Sequence, residues 1–138
     1  MALEAVLAAA TTVASAISGV ASSFCYAPES LNVLPCHVTM PKQGSSEQLP
    51  SGWEWTIHDV SLRLYVARAD LPTGIAQATP FLERYLTAYN AHLSLAGTVQ
   101  ECNISDYNVG IAEYAGLLYV VLDMTLTAIE KRTFTRAA

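Results

Sequence analysis

The stretch Leu118-Tyr119-Val120-Val121-Leu122-Asp123-Met124-Thr125-Leu126-Thr127-Ala128 decides the fold. Its even-numbered positions are all apolar, whereas its odd-numbered positions mix apolar with polar side chains. Strict alternation over this length predicts a β-strand with one face in the core. The second face is only partly polar, which is typical of a sheet that is covered on both sides or that takes part in assembly.

A second long strand is predicted over residues 53–68. The apolar residues of 53–57 alternate one position out of step with those of 60–66. A β-bulge near His58 and Asp59 would reconcile the two phases. His58 beside Asp59 could form an oriented imidazole base, but neighbours in a strand point to opposite faces, which favours a surface pair instead.

Two helices are predicted, one before and one after the strand 53–68 in the chain. In residues 3–20 the apolar side chains recur at steps of three and four, which is typical of an amphipathic helix. Thr79 followed by Pro80 has the chemistry of a helix start, a capping residue and then a first-turn proline. The second helix would place Tyr85 and Tyr89 in the core and end near Gly97.

The remaining strands complete the predicted fold. Residues 33–40 indicate a short strand that Pro35 confines to a sheet edge, and residues 98–108 an irregular one. The order helix, strand, strand, helix, strand, strand predicts one α+β domain, with two helices on one face of a mostly antiparallel four-stranded sheet. We assign residues 1–130 to this domain and residues 131–138 to a basic C-terminal tail.

Charge is scarce, at 14% of residues, and residues 1–41 contain only Glu4 and Glu29. A membrane span, a signal peptide or a helix packed in the domain could each explain this. The uncharged run 5–28 is long enough to span a bilayer, but serines and threonines interrupt it and no basic residue flanks it. The packed helix fits best, so no membrane contact is expected.

The motifs of common enzymes are absent from the sequence, including nucleophile elbows, zinc-protease helices and phosphate-binding loops. An enzyme would have to bring acids together from separate strands, namely Asp59, Asp106, Glu113 and Asp123. The spacing of these acids favours no pair among them, so an enzyme stays open at this point, while no catalytic residue and no cofactor site is indicated. The net charge of -5 argues against a general nucleic-acid binder.

The three cysteines are too few for a disulfide scaffold. A zinc site from Cys25, Cys36, His37 and Cys102 is conceivable. No closely spaced pair presets two of its ligands, so buried thiols are the expected alternative and no metal is predicted.

The candidate assembly residues lie in a predicted loop and in the tail. Residues 41–52 have turn chemistry at nearly every position, and a loop of this length usually has a function. With the tryptophans that follow, it is the candidate for docking on a neighbouring protein, because tryptophans are strong interface anchors. The candidates are Pro41, Lys42, Gln43, Trp53 and Trp55 in this region, and Lys131, Arg132 and Arg136 in the tail.

Several short motifs, in this order, resemble the tail terminator (tail completion) proteins of long-tailed bacteriophages. The resemblance covers about residues 1–130. It rests on Leu34-Pro35 before a strand, the Pro/Gly/Ser loop, the strand 60–66, the helix from Pro80-Phe81, Leu95-Ala96-Gly97-Thr98-Val99, and the turn Tyr114-Ala115-Gly116-Leu117-Leu118-Tyr119.

The resemblance implies a structural virion protein at the head–tail junction, made in the host cytoplasm, which is not an enzyme and has no catalytic residues and no cofactor. Six copies would form a ring that caps the head-proximal end of the tail tube and stops its polymerisation. Its partners would be further copies of the chain, the tail tube protein and the head–tail connector or stopper protein. Genomic DNA would pass through the lumen without sequence-specific binding. Another head–tail joining ring and a small secreted binding domain are the alternatives.

Overall fold

The computed structural model describes residues 2–29, 31, 33–48, 53–68, 71–92, 95 and 101–133. These residues form one α+β domain with two helices and five strands. The elements in chain order are α1 (Ala2–Ser15), β1 (Ser22–Cys25), β2 (Cys36–Gln48), β3 (Trp53–Arg68), α2 (Leu71–Asn90), β4 (Glu101–Tyr114) and β5 (Leu117–Thr133).

The strands form a single mixed sheet in the order β1-β2-β3-β5-β4. All neighbours are antiparallel except β1 and β2, which run parallel. The prediction of a four-stranded sheet is therefore wrong by one strand, because the sheet has five. β1 was missed because it has four residues and no apolar alternation; its pairing with Cys36–Thr39 holds it in the sheet.

The predicted loop over 41–52 is wrong for residues 41–48, which continue β2 and pair with β3. Their turn-forming side chains are tolerated because the partner strand satisfies the backbone groups on one side. The register shifts between Pro41 and Gln43, so Lys42 is the extra residue of a bulge. Residues 49–52 lie outside the described residues.

The predicted bulge at His58 and Asp59 is also wrong. β3 pairs with β5 without a shift from Trp53 to Tyr65, and the irregularity lies between Tyr65 and Ala67. No bulge is needed, because the two apolar sets of β3 lie on opposite faces of one regular strand.

Both helices pack on the same face of the sheet, as predicted; we call it the helix face. α1 ends at Ser15, earlier than predicted, and its last turn tightens because Ile17 N–H donates to the Ala14 carbonyl. The described helices include none that is both long and apolar enough to cross a membrane.

The start of α2 was misplaced by the sequence prediction. The helix begins at Leu71, and Pro80 lies inside it on the exposed side. The Thr79 hydroxyl donates to the Ile75 carbonyl one turn back, so it is not an N-cap. The predicted end near Gly97 lies outside the described residues, whereas α2 itself ends at Asn90.

The main core lies between the helices and the helix face. Tyr85 and Tyr89 are buried there, as predicted, and the Tyr89 hydroxyl donates to the Ala10 carbonyl of α1 at 2.6 Å. Gly74 lets α2 approach β5, since a Cβ at this position would lie 2.5 Å from Val120 Cγ2. The fully buried sheet residues of this core are Val60, Leu62, Leu64, Val120, Leu122, Met124, Leu126 and Ala128.

The opposite side of the sheet, which we call the open face, has a smaller apolar cluster at one end. It contains Cys36, Val38, Tyr65, Tyr119 and Val121, with Leu31 and Leu34 packed against it. The described residues of the segment between β1 and β2 thus cover this end of the open face.

The turn between β4 and β5 allows a local test of stability. Tyr114 pairs with Leu117, and the two turn residues, Ala115 and Gly116, have positive φ angles of 51° and 81°. This geometry prefers Asn-Gly. Ala115→Asn should raise the free energy of unfolding by about 0.5–1 kcal/mol, and Gly116→Ala should lower it by about 1–2 kcal/mol. Urea denaturation of both variants checks this, and equal effects would contradict the turn geometry.

Candidate assembly surface

The predicted residues Lys42 and Gln43 lie on the open face, not in a loop. Lys42 Nζ donates to Thr125 Oγ1 at 2.9 Å. Gln43 Nε2 donates to Asp59 Oδ2 at 3.1 Å, and Asp59 also accepts from the Thr127 hydroxyl. These contacts cross from β2 over β3 to β5, so they give the open face an ordered polar surface.

Pro41 lies in β2 opposite Val60 and is exposed. Because proline has no N–H, β2 loses one backbone donor at this position. Pro41 therefore makes this part of β2 a poor partner for a further strand, and the bulge at Lys42 disfavours such pairing as well.

The other candidates meet at one end of the sheet. Trp55 pairs with Glu47 on one side and with Lys131 on the other, and Trp53 pairs with Thr133. The Trp55 side chain is partly buried. The structure thus brings β3 tryptophans beside the basic residues of β5, although the chain separates them widely.

The predicted C-terminal tail over residues 131–138 is wrong for its first residues, which belong to a strand. Lys131 and Arg132 belong to β5, and Arg132 pairs with Glu54. The predicted domain boundary at residue 130 therefore falls inside a strand, because β3 extends far enough to supply these residues with a partner. Arg136 lies outside the described residues.

A groove of about 440 Å³ crosses the open face beside this polar surface. Arg63 Nη2 lies 3.4 Å from Asp123 Oδ2 in an ion pair whose side chains are 41% exposed. An exposed pair of this kind adds little to stability. The groove is also lined by Met40, Lys42, Glu113 and Tyr114, so its charges are mixed.

The residues considered for catalysis or zinc do not form a common site. His58 contacts Glu130, with Nε2 and Oε2 3.7 Å apart, while Asp59 faces the other side of the sheet. Burial raises the pKa of the Cys36 thiol, and it raises the pKa of Cys102 to about 11. Within the described part of the chain no group of three or more histidines, cysteines and acids could hold a metal ion.

His37 has a structural environment, although burial strongly lowers its pKa. It is fully buried between β2 and α2, where Nδ1 lies 2.6 Å from the Tyr85 hydroxyl and Nε2 lies 2.6 Å from Thr39 Oγ1. Burial lowers its pKa to about 3. The imidazole is therefore neutral and satisfied by two hydroxyls, and it links the helix to the sheet.

A cleft of about 620 Å³ lies between the end of α1 and α2. Arg84 Nη1 donates to the Ser18 carbonyl at 3.2 Å, and its guanidinium lies 4.9 Å from the centre of the Phe81 ring. The ionisable side chains lining the cleft are Glu83, Arg84 and His92. Arg84 joins the two helices across this cleft.

Exposed apolar side chains are concentrated at the two edges of the sheet, a feature that sequence reasoning missed. Of the nine large exposed hydrophobic residues in the described ranges, five lie on or beside the edge strands β1 and β4, and two more lie in β5 directly after the β4–β5 turn. The alternation of Tyr107, Val109 and Ile111 was the available signal, but β4 was predicted to end at residue 108. The β1-edge patch consists of Phe24, Tyr26 and Val33; the β4-edge patch consists of Tyr107, Ile111, Leu117 and Leu118.

Comparison with known proteins adds no family assignment. No protein-family model matches the chain, and no curated protein matches its sequence.

Proposed function

We propose that the protein is a structural subunit of a ring at the head-proximal end of a phage tail tube. In this role it ends tube polymerisation and joins the tail to the head connector. The observation that carries the proposal is the pair of exposed apolar patches at opposite edges of one sheet. A subunit of a closed ring has two different neighbours and needs two different surfaces of this kind.

The composition supports the same proposal. A protomer whose surface is covered by neighbours on two sides needs fewer charged residues than a monomer, since the centre of an interface is depleted of charge. The chain has 14% charged residues. The position proposed for the ring, at the head-proximal end of the tail tube, comes from the resemblance of the sequence to tail terminator proteins.

The net charge of the subunit suits a channel for DNA. Each copy carries a formal charge of -5, so a ring of copies is strongly acidic. Phosphates passing an acidic wall release no counterions to it and therefore do not bind tightly. The ring would thus let the genome pass without holding it.

The oligomeric state of the purified full-length chain tests this proposal. We expect light scattering after size exclusion to give the mass of a closed oligomer, and electron microscopy to show rings with a central hole. The purified ring should also bind the end of tubes formed by the tail tube protein of the same phage. A monomer at every concentration tested would contradict the proposal, and so would a ring that leaves tube length unchanged.

A further inference from the structure

We propose that β1 of one copy pairs antiparallel with β4 of a second copy, so that neighbouring sheets join into one continuous sheet. This inference rests on the proposed function, because it names the two surfaces through which the ring closes. The partner is a second copy of this chain, and the recognition element is an extended strand at a sheet edge.

The strand directions allow this pairing without turning the subunit over. β1 and β2 run one way, β3 the opposite way, β5 the same way as β2, and β4 opposite to β5. Copies related by rotation about an axis along the strands keep these directions. β4 of one copy then meets β1 of the next with opposite direction, which continues the antiparallel alternation.

The two edges also match in height along the strands. Following the register across the sheet, Ser22 lies in the same row as Gly110, and Cys25 lies in the same row as Tyr107. The four residues of β1 therefore stand level with residues 107–110 of β4. Neighbouring copies need no shift along the strands to bring these segments together.

Exposed apolar side chains lie on both edges near this height, but on opposite faces of the sheet. Phe24 is 40% exposed and pairs with Val38 on the open face. Tyr107 is 59% exposed and Ile111 is 45% exposed, and they pair with Met124 and Val120 on the helix face. In the part of the chain that the structure describes, the sheet ends at β1 and β4, so their outer backbone groups have no strand partner. Pairing would satisfy both rows of backbone groups. It would also place Phe24 beside Asn108 of the next copy on the open face, and Tyr107 beside Cys25 of the next copy on the helix face, so each aromatic side chain gains a neighbour.

Charge favours β1 over a second β4 as the partner. β4 carries Glu101, Asp106 and Glu113 and no basic residue, whereas β1 has no charged residue. Two copies of β4 side by side would place like charges near each other, which disfavours a symmetric dimer. The uncharged β1 avoids this repulsion, so the contact is heterologous and can propagate into a ring.

Two charged substitutions, one at each edge, test the pairing. Phe24→Lys and Tyr107→Lys should each convert the ring to monomers in light scattering. An equimolar mixture of the two variants should give a dimer, because each variant keeps the edge that the other has lost. Ile57→Lys is the matched control, because it changes an exposed residue on the interior strand β3. We expect this variant to form the same ring as wild-type protein measured in parallel.

Hydrogen exchange gives a second measurement on the same proteins. Amides of residues 22–25 and 107–110 should exchange more slowly in the wild-type ring than in either folded monomeric variant. This comparison still tests the pairing if one variant fails to fold, since the other variant supplies the monomer. Equal exchange in ring and monomer would overturn the inference.

The outcomes separate this inference from the proposed function. A wild-type ring that both variants leave intact would overturn the β1–β4 pairing alone. A Phe24→Lys dimer combined with a Tyr107→Lys monomer would indicate symmetric β4 pairing and would also overturn it. A wild-type chain that stays monomeric at every concentration would contradict the ring itself.

Discussion

Replacing Tyr85 by alanine should lower the free energy of unfolding by about 3–5 kcal/mol. The side chain is fully buried, and its ring stacks on Tyr89 with centroids 6.1 Å apart. Its hydroxyl also lies within hydrogen-bond distance of the His37 ring. The substitution therefore opens a large cavity and leaves a buried polar group without its partner. Equilibrium unfolding in urea measures the loss.

The matched control for this prediction is Tyr85→Phe. Phenylalanine keeps the aromatic ring but removes the hydroxyl, so only the polar contact to His37 Nδ1 is lost. We expect a decrease of about 1–3 kcal/mol, the usual effect of leaving a buried acceptor or donor unsatisfied. If both variants lost the same free energy, the ring of Tyr85 would contribute nothing to packing and its position in the core would be contradicted.

Acidification should destabilise the protein through His37. Its pKa falls from 6.5 to about 3 on folding because the imidazole is buried. Between these values the unfolded chain binds a proton that the folded chain excludes, so stability decreases as the pH falls. The contribution is about 1.4 kcal/mol per pH unit. It begins near pH 6.5 and levels off near pH 3, where the folded imidazole also becomes protonated.

His37→Gln isolates this contribution. Glutamine keeps a donor and an acceptor for the two hydroxyls but does not titrate. The variant should be less stable than wild type at neutral pH, yet its stability should fall less steeply on acidification. The carboxylates affect both proteins alike, so the difference in slope belongs to His37. His92→Gln, at an exposed position, is the control for replacing a histidine by glutamine elsewhere in the chain. Identical slopes for wild type and His37→Gln would contradict the prediction.

The periodic segments of the fold could be predicted from the sequence. The alternation in 118–128 identifies β5, and the spacing of Tyr85 and Tyr89 gives the buried face of α2. Both patterns report a large difference in burial between two faces, which is the strongest local signal that a chain carries.

The errors arose where tertiary contacts outweigh local preference. Residues 43–48 contain glycine, serines and glutamines and become a strand only because β3 provides its backbone partners. Thr79-Pro80 resembles a helix start, yet the helix continues through it. β1 needs a parallel partner that comes more than ten residues later in the chain, and no local pattern indicates such a partner.

The candidate site was predicted in part. Trp55 and Lys131 were chosen for separate reasons, and the register places them side by side. The two edge patches were not predicted, because an edge is defined by the order of strands in the sheet rather than by any one strand. Tyr107 looks in the sequence like a core residue of an irregular strand, and only the position of β4 at the end of the sheet exposes it.

The strand order also bears on how the chain folds. β2 with β3, and β4 with β5, are hairpins that close over short distances in sequence, so each can form early. The centre of the sheet joins them through pairs such as Asp59 with Thr127, which are 68 positions apart. Closing that long loop, which contains α2, carries the larger entropic cost. We therefore expect the pairing of β3 with β5 to form later than the two hairpins, and this pairing leaves β1 and β4 at the edges of the sheet.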